Sequence, residues 1–370
     1  MPPERKPRFV SSIVKRLLYS SGLFSLYHRV RNRRSLTVAM FHRVLPENDP
    51  RWPDADLNWT VTDRLFRNCL EFFRKHYNVI GIDDLLSAGD GGESLPARPL
   101  LITFDDGWAD NEQYAAGILQ EYRLPAVVFV VAGAVDQEGF WRERLYRQWR
   151  RGSIDADQLD GLWRALPDSE DTKPQDWTSA AAFWALANRL DTLDDVSRPA
   201  LLNTIFQPSS ALDGPVMLSA AQLGALVKAR IGIGSHGLTH TPIPLAANPQ
   251  KELKDSRRRL VALLGLEERR VPLALSFPHG LYNEETVQLA RAAGYRLLFT
   301  SDPHLASADT VNWHTTLIGR VNIPSRNITD RKGNFRPELL ALWLFNRPRV
   351  FTDARRKKTA RISSVASARY

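Results

Sequence analysis

Cysteine is almost missing from this chain of 370 residues: Cys69 stands alone, beside only three methionines. An internal disulfide is therefore excluded, and disulfide-free chemistry suits a reducing compartment. Long apolar runs are missing too, since none approaches the roughly 20 residues that a bilayer-spanning helix needs. No internal repeat is found, which argues against solenoid and propeller architectures. A secretory leader is not legible, because Lys15 and Arg16 interrupt the first apolar stretch and Arg29 to Arg34 follow it. From this a cytoplasmic protein is expected. Acidic residues are scarce at both ends. Residues 1–36 carry nine basic side chains against Glu4 alone, a balance of +8, and residues 347–370 carry eight against Asp353, a balance of +7. With a total of +9, the body between them is mildly acidic at −6. Basic ends on an acidic body suit attachment to an anionic surface. They do not describe a nucleic-acid groove, and the basic residues lack interleaved aromatics, so no nucleic-acid partner is expected.

What is present is an ordinary globular composition, 43% apolar and 25% charged, enough for one large domain with additions or for two domains. In "DRLFRNCLEFFRKHY", Leu65, Phe66, Cys69, Leu70 and Phe73 share one helical face, which makes Cys69 a packing residue. In residues 1–35, Phe9, Val10, Ile13, Val14, Leu17 and Leu18 recur at helical spacing around Lys15 and Arg16. Leu23, Phe24, Leu26, Tyr27 and Val30 extend the set. This basic amphipathic segment fits either an anionic membrane surface or the protein's own body.

From Ser35 the pattern alternates. "SLTVAMFHRV", "ARPLLITF" and "PAVVFVVAG" read as buried strands with helices between them, and Asp110 and Asn111 are suited to start the helix "ADNEQYAAGILQEYRL". The alternation stops over residues 136–215, read as a helical insertion. Its Trp141, Trp149, Trp163, Trp177 and Trp184 offer either a sugar-stacking face or, the favoured reading, packing against the main body. It resumes over 216–330, with "IGIGSH", "PLALSFPHG", "YRLLFTSD" and "TLIGRVNIP" as strands, and residues 331–370 read as a basic C-terminal tail. Such alternation implies a mainly parallel sheet or barrel.

Three polar clusters follow buried strands. "TFDDGWADN" places Asp105 and Asp106 side by side at a strand end, "SHGLTH" places His236 and His240 four apart, and "SFPHGLYN" sets a tight turn at Pro278 and Gly280. Two histidines and one carboxylate with an open position form a ligand set for a catalytic divalent ion, most commonly zinc. A second carboxylate beside the set can act as general base. The paired acids then have separate tasks, with Asp106 as ligand and Asp105 as base. The turn can aim a backbone N–H at a developing oxyanion.

These motifs, in this order, resemble the polysaccharide deacetylases, carbohydrate esterase family 4. "RLPAVVFV" is similar to the strand that follows the family's first helix. "VAMFHRV" is similar to the first strand of members from exopolysaccharide and lipopolysaccharide gene sets. The resemblance covers residues 36–135 and 216–330. It implies a distorted (β/α)7 barrel and metal-dependent removal of acetyl groups from sugars. It assigns Asp105 as base, Asp106, His236 and His240 as metal ligands, and the N–H of His279 to the oxyanion. Many members carry an arginine two residues before the proline, where this chain has Ser276, and many follow it with tyrosine, where this chain has His279. The late strand here reads "LIGRVNIP", so Arg320 is expected to orient Asp105. The late-strand histidine that serves many members as acid is missing, which leaves the acid unassigned, with His304 and His314 as candidates, and His42 reads either as lining the site or as a satisfied strand-end histidine. The expected substrate is a polysaccharide, lipid-linked oligosaccharide or glycolipid of the cell envelope, met at the inner membrane surface by a peripherally bound enzyme. The rival expectation is a catalytically degenerate carbohydrate-binding or scaffold protein on the same fold.

Overall fold

The computed structural model describes residues 12–167, 173–193, 197–206, 216–265, 273–308 and 316–350. Phe9, Val10, His314 and residues 351–370 lie outside them. Seven strands form a closed parallel ring: β1 (Ser35–Phe41), β2 (Pro99–Phe104), β3 (Val127–Val130), β4 (Gly232–Ser235), β5 (Ala274–Ser276), β6 (Leu297–Phe299) and β7, which is broken into Leu317–Ile318 and Val321–Asn322. Neighbours pair in chain order. The second piece of β7 closes the ring by pairing Val321 with Ala39 and Asn322 with Met40 of β1. This is the distorted (β/α)7 barrel.

Strand alternation sorts the side chains. Val38, Leu101, Val127, Phe129, Ala274, Leu297, Phe299 and Ile318 cluster together inside the ring. Ala39, Phe41, Leu100, Ile102, Phe104, Val128 and Val130 face outward onto helices. Because both faces are covered, β1, β2 and β3 are buried along their whole length and read as unbroken apolar runs. One helix of the outer layer, α3 (Asp63–His76), starts where the Thr62 side chain accepts from the Leu65 N–H. It buries Leu65, Phe66, Cys69, Leu70, Phe72 and Phe73.

The break in β7 falls at Gly319 and Arg320. A Cβ on Gly319 would stand 2.5 Å from the Asp302 carbonyl oxygen and 2.6 Å from the His304 ring. Only glycine lets the chain pass there, and Arg320 follows it into the barrel.

Two expectations about organisation need correction. The segment from 331 is not all tail: the helix Pro337–Phe345 buries Leu340, Ala341, Leu344 and Phe345, and Arg349–Val350 pairs with Leu305–Ser307. The apolar run "LLALWLF" draws it onto the barrel despite the basic residues beyond. The insertion's tryptophans do not chiefly pack on the barrel. Trp163 and Trp177 are buried in a core made of insertion residues, with Trp141, Trp149 and Trp184 against it. Its helices, Trp141–Arg150, Ala156–Arg164, Ala180–Leu190 and Ser197–Leu202, therefore bury one another.

The N-terminal residues form a hairpin, α1 (Ser12–Ser20) and α2 (Leu23–Arg31), turning at Gly22. The buried His28 stacks on Phe345 at 4.0 Å, and Arg31 donates to the carbonyls of Phe345 and Arg347. The Arg33 carbonyl accepts from the N–H of Arg98, just before β2. α2 thus sits at the end of the barrel from which β1 and β2 start.

Candidate functional site

Alternation along the strands converges the site at the opposite end. Val38, Met40 and then His42 point inward from β1, Leu101, Thr103 and then Asp105 from β2, Gly234 and then His236 from β4, Ala274 and then Ser276 from β5, and Ile318 and then Arg320 from β7. Parallel barrels collect their functional groups at these carboxyl ends.

Arg320 is fully buried and grips Asp105 with both nitrogens, Nη1 to Oδ1 at 2.6 Å and Nη2 to Oδ2 at 2.7 Å. Its Nη2 also donates to Ser276 Oγ at 2.8 Å, and its Nε to the Thr300 carbonyl at 3.1 Å. The small Ser276 leaves room for the guanidinium that reaches across from β7. Burial alone would raise the pKa of Asp105, but the charges of Arg320 and His236 outweigh it and hold the carboxyl below its ordinary value.

Asp106 leaves the strand with φ of 78° and His240 has φ of 69°, both in the left-handed region that L-residues avoid. Such strain gathers where surrounding structure enforces it for function. His236 Nε2 lies 3.4 Å and His240 Nε2 3.3 Å from the same Oδ1 of Asp106. The other oxygen, Oδ2, accepts from Trp108 Nε1 at 2.9 Å. His236 Nδ1 stands 2.8 Å from the Ser276 carbonyl oxygen. A carbonyl only accepts, so Nδ1 carries a hydrogen, and Nε2 is the ring atom turned toward Asp106. One donor atom from each of the three side chains falls within 4.8 Å of the others, a set that fits a divalent ion. Burial opposes charge on Asp106 and His240 alike. Each nevertheless favours the charged form of the other, so Asp106 lies well below its ordinary pKa and His240 above its own.

His279 is exposed, takes φ of 55° in the turn Pro278–Gly280, and stacks its ring on His240 at 4.6 Å. His42 rests against Trp59 at 4.5 Å. Burial pushes its pKa down, and Asp106 and Asp105 push it back, so it lies within electrostatic reach of both acids. Its Nδ1 is shielded from water and has no hydrogen-bond partner among the described residues. His304 instead stands against Gly319, beside the break in β7.

Several contributors carried no assigned role in the sequence reading. Trp108 lies inside the first motif, two residues from Asp106. Phe140 and Glu143 come from the insertion. The Phe140 ring stacks on His240 at 4.4 Å and meets Trp108 edge-on at 5.5 Å. Burial raises the pKa of Glu143, with Asp106 adding to the effect and His240 opposing it, and its Oε2 is shielded without a hydrogen-bond partner among the described residues. Asp110 and Asn111 stand at the start of the helix, as expected, with Asp110 at its N-cap position, but the Asp110 side chain makes no capping hydrogen bond. Asp110 instead pairs with Arg43 at 2.9 Å and accepts from the Val44 N–H. Asn111 donates to the His42 carbonyl, and residues 111–116 form a π-helical turn. The pair thereby fixes the loop that carries His42.

A closed parallel barrel with an arginine-held carboxylate beside an Asp-His-His cluster at its carboxyl ends has the layout of a metal-assisted hydrolase. A sequence profile of the polysaccharide deacetylase family matches residues 92–166 and 176–298, more than half of the chain, and the chain belongs to that family. YxkH of Bacillus subtilis (strain 168), a curated protein with a polysaccharide deacetylase name, is 26% identical over 124 residues. The matched stretch covers 33% of this chain and 43% of that relative. Among solved structures, Streptococcus pyogenes deacetylase PplD, in complex with acetate, aligns with a TM-score of 0.52 at 17% identity over 84% of this chain and 98% of that one. BC0361, a polysaccharide deacetylase from Bacillus cereus, aligns at 0.51 with 15% identity, covering 84% of this chain and 68% of that one. At these identities the structural likeness concerns the fold.

Proposed function

We propose that the chain is a divalent-metal-dependent hydrolase that removes N-acetyl, or another N- or O-acyl, groups from a sugar of a polysaccharide, lipid-linked oligosaccharide or glycolipid. The observation that carries this reading is the division of labour between neighbouring carboxylates: Asp105 is held by Arg320, while Asp106 is shared by His236 and His240. Family membership supports the sugar substrate, and the Asp106, His236 and His240 cluster beside the arginine-held Asp105 counts against the degenerate-binder reading.

Asp106, His236 and His240 would hold the ion, zinc being the commonest for such donors. When bound, it polarises the acyl carbonyl and makes water more acidic. Asp105 takes the proton from the attacking water. Arg320 keeps Asp105 ionised at rest and fixes both oxygens, and the turn at Pro278–Gly280 presents the N–H of His279 to the oxyanion. The proton on Asp105 must reach the leaving nitrogen, and we assign that transfer to His42, which lies within electrostatic reach of both acids. Phe140 walls the side of the site toward the insertion, and Glu143 Oε2, without a hydrogen-bond partner among the described residues, would accept from the sugar once substrate displaces the side chains that cover it.

The test is acetate release from N-acetylated free and lipid-linked glycans by metal-reconstituted protein. Release that disappears with Asp105→Asn while the ion stays bound supports the reading. No release from any of them by metal-loaded protein favours the binding or scaffold alternative.

A further inference from the structure

Ten large apolar residues of the described chain are exposed, and seven of them lie on one hairpin: Ile13, Val14 and Leu17 of α1, and Leu23, Leu26, Tyr27 and Val30 of α2. On α2 the exposed set falls at i, i+3, i+4 and i+7, the spacing that normally faces a core. Here it faces out. The half-buried Phe24 and the buried His28 take the inward side, Phe24 packing on the main core and His28 meeting Phe345 and Tyr77. The hairpin is therefore packed on the body and still leaves Ile13, Leu17, Leu23, Leu26, Tyr27 and Val30 as an exposed apolar stripe. An apolar cavity of about 330 Å³ opens between it and the C-terminal helix, lined by Leu18, Leu23, Phe24, Tyr27, Leu342 and Phe345.

The charge around the stripe has one sign. Residues 12–34 carry Lys15, Arg16, Arg29, Arg31, Arg33 and Arg34 and no acidic residue. Arg16 lies 3.9 Å from Glu338, and Arg31 is engaged with backbone carbonyls, while Arg29, Arg33 and Arg34 are exposed. A second protein surface would have to bury or neutralise these cations, whereas an anionic bilayer meets both properties at once, lipid phosphates for the cations and acyl chains for the stripe. We infer that the α1–α2 hairpin docks the protein peripherally on an anionic membrane, with the apolar cavity receiving part of an acyl chain. α2 sits at the end of the barrel opposite the Asp-His-His cluster, so a docked molecule turns the site away from the bilayer and toward glycan extending from the surface. The inference does not rest on the deacetylase reading.

The experiment is co-sedimentation of the full chain with vesicles of phosphatidylcholine alone or with added phosphatidylglycerol, at low and high salt. Binding is expected only with phosphatidylglycerol, weakened by salt as screening shortens the reach of the cations. Leu17→Glu/Val30→Glu, both at exposed positions, should lower that binding about tenfold or more with an unchanged melting curve and unchanged turnover on a soluble glycan. Arg33→Gln/Arg34→Gln should weaken it and flatten its salt dependence. Absence of pelleting with phosphatidylglycerol vesicles would overturn the inference, as would full binding by Leu17→Glu/Val30→Glu. A concentration-dependent dimer that the same substitutions abolish, without vesicle binding, would overturn it in favour of a contact between copies.

Discussion

The two ends of the barrel break the usual sorting of side chains in opposite directions. At the carboxyl ends of the strands, Asp105, Asp106, His236 and Arg320 are charged or titratable groups shut away from water. At the other end, Leu17, Leu26 and Val30 are apolar groups left in it. Neither arrangement helps folding, since burying charge and exposing a contiguous apolar stripe are both unfavourable. The difference lies in compensation. Each buried acid has partners within the chain, two nitrogens of Arg320 for Asp105, and Trp108 with two histidines for Asp106. The exposed stripe has none among the described residues. The site is thus completed from within, apart from a cation, and the hairpin asks for something from outside.

That contrast predicts steep effects at one end and shallow ones at the other. Asp105→Asn should lower kcat by roughly 10²–10⁴-fold, measured as acetate release, with the metal content unchanged because Asp106, His236 and His240 are intact. Arg320→Ala leaves a buried carboxylate without its partner. It should destabilise the fold by about 3–5 kcal/mol in chemical denaturation. It should also move the acid limb of kcat/KM to higher pH, because burial, no longer opposed by the guanidinium, raises the pKa of Asp105. In the unaltered protein the depressed pKa contributes stability that is complete above the free-carboxylate value of about 3.9 and is lost as pH falls through the folded value. An acid limb that stays in place in Arg320→Ala would separate Arg320 from the base. Glu143→Gln should raise KM by about tenfold or less, the worth of one hydrogen bond, and leave kcat close to its original value. A fall in kcat with unchanged KM would move Glu143 into the chemistry. Leu17→Glu/Val30→Glu should change stability by no more than about 0.5 kcal/mol per site, the smallest effect, and a large loss would mean that the stripe is packed after all.

Much of the site was legible because strand alternation is strict. The step of two from Leu101 to Thr103 to Asp105, or from Ile318 to Arg320, can be followed in the sequence, and it carries both ends of the ion pair into the same interior. The motif spacing likewise brought Asp106, His236 and His240 forward. Phe140 and Glu143 were not legible. Their role depends on where the first helix of the insertion folds back, and nothing local in "GFWRERLYRQWRRG" encodes contact with His240. The need for glycine at Gly319 was hidden for a similar reason, since it depends on the approach of Asp302 and His304 from the neighbouring loop. Asp110 and Asn111 do start the helix, as their chemistry suggests, but their side chains go to the Arg43 guanidinium, the Val44 N–H and the His42 carbonyl, partners that the sequence did not reveal. At the C terminus, net charge suggested a tail, while the apolar run from Leu339 to Phe345 decided that the helix packs.

The central claim is that Asp106, His236 and His240 form one divalent-cation site beside a separate base, and elemental analysis after reconstitution and dialysis tests it most directly. The unaltered protein and Asp105→Asn should each retain one equivalent of zinc or a similar ion per chain, whereas His236→Ala should retain none while remaining folded by circular dichroism. Unaltered, folded protein that holds no ion, or His236→Ala that holds as much as the original, would contradict the account.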